Sequence, residues 1–404
     1  MTEHNHASVI LSLANRFSDF LDRRSRSKSW PFVVLFVAIG ISLFSWVPYY
    51  PTVSEFIQTP IGAAKAWWLE HPFKAVPVER FFPLSERHIG WNAGFASHLD
   101  KMTYRAFLPL LNQVAPFGIW TLVAACHLGV LTILWFSYRI VASQVGDNVS
   151  GALACWAVST SFAGQWGFHD YSFGDAAAVG MLLGAMFSRQ AVWTCLLILM
   201  ASFTDERACT AAPLVLLFHY LRDVDPEKER YNNASFVCDL IRKGWPIMAG
   251  ILAYLSIRLT VTFLTDARSG ISMLASVDVL RGHLYSDYPN LVFKVFEFLW
   301  ILPFIFLVEF RQKKPSANFI QILFGLGLAL AAFPAMVVWD IDRSLFYLLP
   351  GVILAICFIP VSLKNLRLLL LAIFFANVIW LYPSSSGLRK IDQFASSFIV
   401  LKKQ

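Results

Sequence analysis

The stretch 191–221 reads AVWTCLLILMASFTDERACTAAPLVLLFHYL and sets a polar island, Phe203-Thr204-Asp205-Glu206-Arg207, between two apolar runs. Together the runs are long enough to cross a bilayer twice, so the island marks a turn between two helices. A charge at bilayer depth costs roughly 2.5–3.5 kcal/mol on insertion scales, so it needs water, a partner or a function. The island is therefore either a solvated turn among lipid headgroups or part of a functional site.

The composition of the whole chain indicates an all-α, polytopic integral membrane protein. Hydrophobic residues fill 57% of 404 positions, charged residues only 15%, and the mean hydropathy is +0.58. Such values are far from those of a soluble globular domain. The formal net charge of +7 follows from basic loops and does not indicate a nucleic-acid partner.

Apolar runs predict about eleven transmembrane helices within a transmembrane domain at 31–383. A cytoplasmic amphipathic and basic tail, 1–30, precedes this domain, and a short periplasmic tail, 384–404, follows it. The first outer loop, 50–115, is long and is predicted to carry interfacial helices, among them Pro60 to Glu70 with Trp67 and Trp68 at headgroup depth. The predicted spans are 31–49, 116–138, 150–167, 173–188, 190–204, 207–221, 245–264, 289–310, 317–338, 344–362 and 366–383.

The distribution of basic residues predicts the orientation of the chain. With the N-terminus in the cytoplasm, the inner loops hold twelve Lys and Arg, whereas the short outer loops hold four. This asymmetry follows the positive-inside rule and favours a multi-pass membrane protein with a cytoplasmic N-terminus. We expect the membrane to be a bacterial inner (plasma) membrane. The asymmetry also places five acidic or histidine-bearing connections on one outer face.

Those outer connections supply the candidate site residues. Asp340 and Asp342 lie beside Arg343, an arrangement that can act as a base, hold a divalent cation or direct an arginine towards phosphate. Each candidate in these connections also has a purely structural interpretation: a solvated loop, an ion-paired turn or, for Asp175, a helix cap. The remaining candidates in these connections are Glu55, Glu86, Asp100, Arg105, His169, Asp170, Asp205, Glu206 and Arg207.

Several chemistries have no signature in the sequence. We find no phosphate-binding Gly-rich loop, no dinucleotide fingerprint, no nucleophile elbow and no His-Glu-x-x-His helix. The six cysteines include no Cys-x-x-Cys pair, so neither a disulfide framework nor a thiol-based metal site is expected. No cofactor is required by any motif.

The order of spans and loops resembles that of polytopic glycosyltransferases with the GT-C fold. The resemblance rests on the long outer loop that ends in Asp100-Lys101-Met102-Thr103-Tyr104-Arg105, on the His169–Asp175 and Asp205–Arg207 turns, and on Asp342-Arg343 followed by Pro350. It implies transfer of a sugar from a polyprenyl-phosphate donor to a glycan, lipid or protein acceptor. It further implies a base in the first outer loop, Asp100 rather than Glu55 or Glu86, and arginines at 105, 207 and 343 that hold the departing phosphate.

Three other functions are compatible with the same topology. A polymerase or ligase of polysaccharide repeats shares the donor chemistry. A transporter or flippase predicts ionisable residues deep within the spans, for which His127, His219 and Arg258 are the main candidates. An assembly partner of a cell-envelope complex requires only the fold.

Overall fold

A computed structural model describes residues 3–44, 53–81, 100–169, 174–223, 233–265, 288–313, 318–337 and 341–379. Every secondary-structure element in these segments is helical, which confirms the all-α class. Helices α1 to α6 are Glu3–Ser25, Trp30–Phe44, Val53–Gln58, Pro60–Glu70, Val78–Phe81 and Phe107–Val114. Helices α7 to α13 are Ile119–Val145, Asn148–Thr160, Phe162–His169, Asp175–Phe187, Ala191–Thr204, Arg207–Asp223 and Asn233–Thr265. Helices α14 to α19 are Tyr288–Phe296, Ile301–Lys313, Asn318–Val337, Ile341–Leu345, Leu349–Phe358 and Leu363–Ile379.

Each predicted span overlaps a helix of the structure, but three of the spans are interrupted. The span at 150–167 is divided at Ser161, whose backbone is extended, into α8 and α9. The span at 289–310 is divided by a 3₁₀ turn that begins at Glu297, where φ is +50°. The span at 344–362 is likewise divided by a 3₁₀ turn, Phe346–Leu348. Continuous helices were therefore the wrong prediction at these three places.

Three described segments are long and apolar enough to cross a membrane: Ile119–Val145, Cys238–Leu264 and Phe319–Met336. Four shorter apolar helices, of which α10 and α11 are two, accompany them. These seven apolar helices are compatible with a membrane protein. Eleven crossings remain a prediction.

Helices α7, α8 and α10 form the centre of the bundle. Gly129 on α7 lets α10 approach so closely that an added Cβ would lie 2.4 Å from the backbone nitrogen of Ala177. One turn further along both helices, a Cβ on Gly180 would lie 2.1 Å from the hydroxyl of Thr132. The two helices are therefore parallel, and small residues fix their spacing.

The segment α3 to α6, which we call the first outer segment after its predicted side of the membrane, has a small core of its own that packs against the start of α7. Helix α4 has the predicted bounds, begins at the N-cap Thr59 and carries Trp68 into this core. The side chain of Trp68 is 1% exposed and its indole N–H donates to the Met102 carbonyl at 3.1 Å, whereas its depth at the headgroups stays a prediction. The segment is thereby held down onto the bundle.

At the opposite end of the bundle, an ion network of Asp22, Asp147 and Arg367 fixes the N-terminal helix. Arg367 on α19 donates to Asp147 at 2.6 Å and 2.9 Å and to Asp22 on α1 at 3.0 Å. Asp147 also caps α8, because its carboxylate accepts from the backbone N–H of Ser150 at 2.8 Å. We call these three residues the Asp147 network.

Candidate functional site

The polar island at 205–207 forms the turn between α11 and α12. Asp205 begins the turn, and its carboxylate accepts from the backbone N–H of Arg207 at 2.9 Å, which satisfies one donor at the start of α12. The same carboxylate accepts from the Arg207 side chain at 2.8 Å and 2.7 Å. An acidic residue before an arginine at a helix start thus folds the turn and orients the guanidinium.

Asp175 is the hub of the site. It opens α10 directly after Gly174, has no exposed surface, and accepts from Arg207 at 2.5 Å. Its other carboxylate oxygen accepts from Arg343 at 2.8 Å and 3.0 Å. The cap interpretation of Asp175 is therefore incomplete, because its carboxylate joins two arginines from distant parts of the chain.

Arg105 brings the first outer segment into the site. Its guanidinium is 2% exposed, lies 2.9 Å from Asp205, and donates to both oxygens of Glu206 at 3.1 Å and 3.2 Å. This two-point contact has the geometry in which arginine also binds phosphate. A segment that sequence reasoning treated as a loop thus supplies a buried charge to the ends of α11 and α12.

The region 341–348 closes the site from the remaining side. Ser344 accepts from Arg207 at 3.0 Å, and the hydroxyl of Tyr347 donates to Asp175 at 3.3 Å. The ring of Tyr347 lies under the Arg207 guanidinium, with 5.1 Å between the guanidinium carbon and the ring centroid. Helix α17 and the 3₁₀ turn after it therefore place Arg343 and Tyr347 on the Asp175 carboxylate and Ser344 on Arg207.

Among the described side chains, the resulting ion network has as many arginines as carboxylates. We define the Asp175 network as Arg105, Asp175, Asp205, Glu206, Arg207 and Arg343, three arginines and three carboxylates. Burial alone would raise the pKa of Asp205, but attraction to Arg105 and Arg207 lowers that pKa well below its ordinary value. Burial also opposes ionisation of Glu206, yet Arg105 lowers the pKa of that carboxyl. Both acids are therefore ionised at neutral pH.

One side of the Asp175 network is accessible. The side chain of Glu206 is 26% exposed, whereas those of Asp175 and Asp205 are fully buried. Arg258 on α13 is near enough to Glu206 to interact with it electrostatically. A ligand that reaches the network therefore meets Glu206 and Arg258 first.

The structure brings four of the predicted residues into direct contact, Arg105, Asp205, Glu206 and Arg207, and joins Arg343 to them through Asp175. Asp100, Glu55, His169 and Asp342 lie in described helical turns, but their side chains are outside the description. Glu86, Asp170 and Asp340 lie outside the described residues altogether.

Sequence reasoning missed two of the residues around the Asp175 network. Tyr347 gave no signal, because a tyrosine in an apolar run ordinarily packs as a core aromatic. Arg258 was noticed only as an ionisable residue within a span, and its contact with the network depends on the path of α13. Asp175 was weighed as a cap, although an acid that opens an apolar run at the outer face is itself a signal.

No group of three or more His, Cys, Asp or Glu in the described part of the chain is arranged to hold a metal ion. Binding of a divalent cation by the predicted acids stays a prediction, because Asp340 and the side chains of Asp100 and Asp342 are not described. Neither a family model, nor a curated protein, nor a solved structure matches the chain. The geometry of the Asp175 network is thus the main basis for a functional proposal.

Proposed function

We propose that the protein is a membrane glycosyltransferase that moves a sugar from a polyprenyl-phosphate donor to an envelope glycan, lipid or protein acceptor at the outer face of a bacterial inner membrane. The observation that carries the proposal is the Asp175 network, built from the ends of α10, α11 and α12, from the 341–348 region and from Arg105 of the first outer segment. Arginines fixed at such a junction suit a phosphate-bearing substrate that enters between helices.

The physical cost of the network argues for a function. Desolvation of each buried ion costs several kcal/mol, and a well-packed apolar replacement is often as stable as a buried ion pair. Helix α10 has 13 residues and is therefore about 20 Å long, against about 30 Å for a hydrocarbon core. A helix this short does not span the hydrocarbon core by itself, so a buried charge at its first residue is a functional candidate by default.

In this proposal the donor phosphate replaces the carboxylate of Glu206 on Arg105, because Glu206 is the only partly exposed acid of the network. Arg207 and Arg343, held by Asp175 and Asp205, supply preorganised positive charge as negative charge grows on the leaving phosphate. A carboxylate of the outer segment removes the proton of the acceptor hydroxyl. Asp100 is favoured for this role over Glu55 and Glu86. It opens the 3₁₀ turn that ends at Tyr104, so its backbone lies about 8 Å from that of Tyr104, the neighbour of Arg105.

Turnover of a lipid-linked sugar by purified protein in lipid vesicles tests the proposal. The informative pair is Arg105→Gln and Arg242→Gln, two arginine-to-glutamine changes, each at an arginine that pairs with an acid. We expect at least a hundred-fold lower kcat/KM for Arg105→Gln, which loses the proposed phosphate contact, and a change within two-fold for Arg242→Gln. Equal activity of the two variants, or no donor consumption by the wild type, would contradict the proposal.

A transporter is the second candidate, because one observation favours it. Asp175 joins arginines from two different helices in a fully buried site, an arrangement in which a change of partner can couple helix movement to substrate. Sided vesicles distinguish the two functions: movement of a lipid-linked sugar across the bilayer without cleavage of its phosphate bond supports transport. A polymerase or ligase, by contrast, is recognised from the length distribution of its glycan products.

A further inference from the structure

Arg258 lies on α13, seven residues before its end, and faces the first outer segment. Its guanidinium carbon is 4.4 Å from the centroid of the Tyr104 ring, and one of its amino groups donates to the Tyr254 hydroxyl at 3.0 Å. The Tyr104 hydroxyl is in turn hydrogen-bonded to Thr262, one helical turn beyond Arg258, at 3.0 Å. Two aromatic residues thus hold the planar guanidinium in a fixed place while it remains half-buried.

Arg258 differs from the three arginines of the Asp175 network in that no described carboxylate pairs with it. Each of those three lies within 4.0 Å of a carboxylate, whereas Arg258 has no such partner among the residues that the structure describes. Glu206, the nearest acid by its electrostatic effect, is already bound at both oxygens by Arg105. Four arginines against three carboxylates leave one net positive charge among the described side chains of this region, and that charge lies on Arg258.

The surface around Arg258 is apolar. Leucines before and after it on α13, Leu252, Leu255 and Leu259, are 63%, 47% and 57% exposed. Phe263, near the end of the helix, is 76% exposed. A half-exposed cation beside exposed apolar side chains is unfavourable against lipid unless an anion reaches it. A ligand with a phosphate head and a hydrocarbon tail satisfies both features at once, and the planar fork of arginine suits a phosphate.

We propose that Arg258 anchors the phosphate of an isoprenoid phosphate lipid, which reaches the Asp175 network from the membrane along the outer part of α13. The head group lies between Arg258 and Arg105, at the accessible edge beside Glu206, and the tail lies against the exposed leucines of α13. This proposal rests on the proposed function, since it concerns the binding of the same donor.

Binding of farnesyl phosphate to the full-length protein in detergent micelles tests the proposal, with farnesol and inorganic phosphate as comparison ligands. The matched control for Arg258→Gln is Arg242→Gln, because Arg242 lies on the same helix, is exposed, and pairs with Asp239 at 2.8 Å. We expect Arg258→Gln to weaken farnesyl phosphate at least ten-fold and Arg242→Gln to change the affinity less than two-fold. Farnesol and inorganic phosphate are each expected to bind the wild type at least ten-fold more weakly than farnesyl phosphate.

The alternative outcomes separate the two proposals. Unchanged binding by Arg258→Gln together with lost binding by Arg105→Gln would overturn the role of Arg258 and leave the proposed function standing. Equal binding of farnesol or of inorganic phosphate would overturn the combined head-and-tail site. A wild type that binds no isoprenoid phosphate and consumes no donor would remove both proposals. Should Arg258→Gln fail to fold, Arg258→Lys keeps the charge but not the fork, and an affinity within 1.5-fold of the wild type would contradict the anchoring role.

Discussion

Replacing Asp175 by Asn removes the hub charge while preserving the shape of the side chain. The carboxylate is fully buried and accepts four hydrogen bonds, one from Arg207, two from Arg343 and one from Tyr347. An amide can accept through only one of its two polar atoms, and its NH₂ group faces an arginine donor. Removal of one partner of a buried ion pair typically costs about 3–5 kcal/mol, because the other charge stays buried without compensation. We therefore expect Asp175→Asn to lower the free energy of unfolding by about 3–5 kcal/mol.

The comparison variant is Glu206→Gln. Glu206 is partly exposed and, among the described residues, pairs only with Arg105, which keeps Asp205 as a second partner. The expected loss is therefore about 1 kcal/mol or less, the range of solvent-accessible pairs. Titration with SDS in mixed micelles, followed by tryptophan fluorescence, gives the free energy of unfolding of both variants.

A double-mutant cycle of Asp175→Asn and Arg343→Gln measures the coupling energy between these two side chains. Because the two side chains share two hydrogen bonds, their effects on stability should be coupled by about 1–3 kcal/mol. Additive effects, or a loss below about 1 kcal/mol for Asp175→Asn alone, would refute the view that the network is a tightly coupled, desolvated unit.

Three further predictions concern the surroundings of the network and the opposite end of the bundle. Gly174→Ala should destabilise the protein by about 1–3 kcal/mol in thermal unfolding, because φ is +91° and the added Cβ would lie 2.8 Å from a methyl carbon of Leu108; an unchanged melting temperature would contradict this. Asn112→Ala should lower the free energy of unfolding by about 2–4 kcal/mol in SDS titration, since the buried amide bonds three groups that would lose their partner; a loss under about 0.5 kcal/mol would argue against it. Burial alone would raise the pKa of Asp147, but hydrogen bonds, chiefly from Arg367, lower it below its ordinary value of 3.8. The contribution of ionised Asp147 to the free energy of unfolding is therefore present above pH 3.8 and is lost as the pH falls through the lowered pKa. Unfolding curves of Arg367→Gln, measured as a function of pH, should show less of this acid sensitivity than those of the wild type.

The helical elements could be predicted because apolar runs of membrane length are separated by short polar turns. The island at 205–207 is the clearest case: it predicts the turn between α11 and α12 and three members of the Asp175 network. The interruptions at Ser161 and Glu297 could not be predicted, because each is fixed by packing between helices that are distant in sequence. At Ser161, for example, the hydroxyl of Ser42 donates to the Ser159 carbonyl at 3.3 Å, and the amide of Asn377 donates to the Thr160 hydroxyl at 3.0 Å.

The membership of the site was only partly predictable for a related reason. Arg105, Arg207 and Arg343 were recognised as outer charges, but sequence gives no means of knowing which acid each one contacts. Asp175 and Arg258 belong to the site only because α10 begins, and α13 ends, at the same end of the bundle as the polar island. Contacts between residues more than 100 positions apart follow from topology and not from local pattern.

The most direct test of the central claim compares two buried acids at opposite ends of the bundle. Asp205→Asn and Asp147→Asn each remove a carboxylate that holds an arginine, at 0% and 7% exposure respectively. The measurement is sugar transfer from a polyprenyl-phosphate donor, normalised to the amount of folded protein in the vesicles. The account predicts that Asp205→Asn retains less than about one hundredth of the wild-type rate, whereas Asp147→Asn retains at least half, as expected when only the first removes transition-state stabilisation. Similar losses in both variants, or full activity of Asp205→Asn, would contradict it.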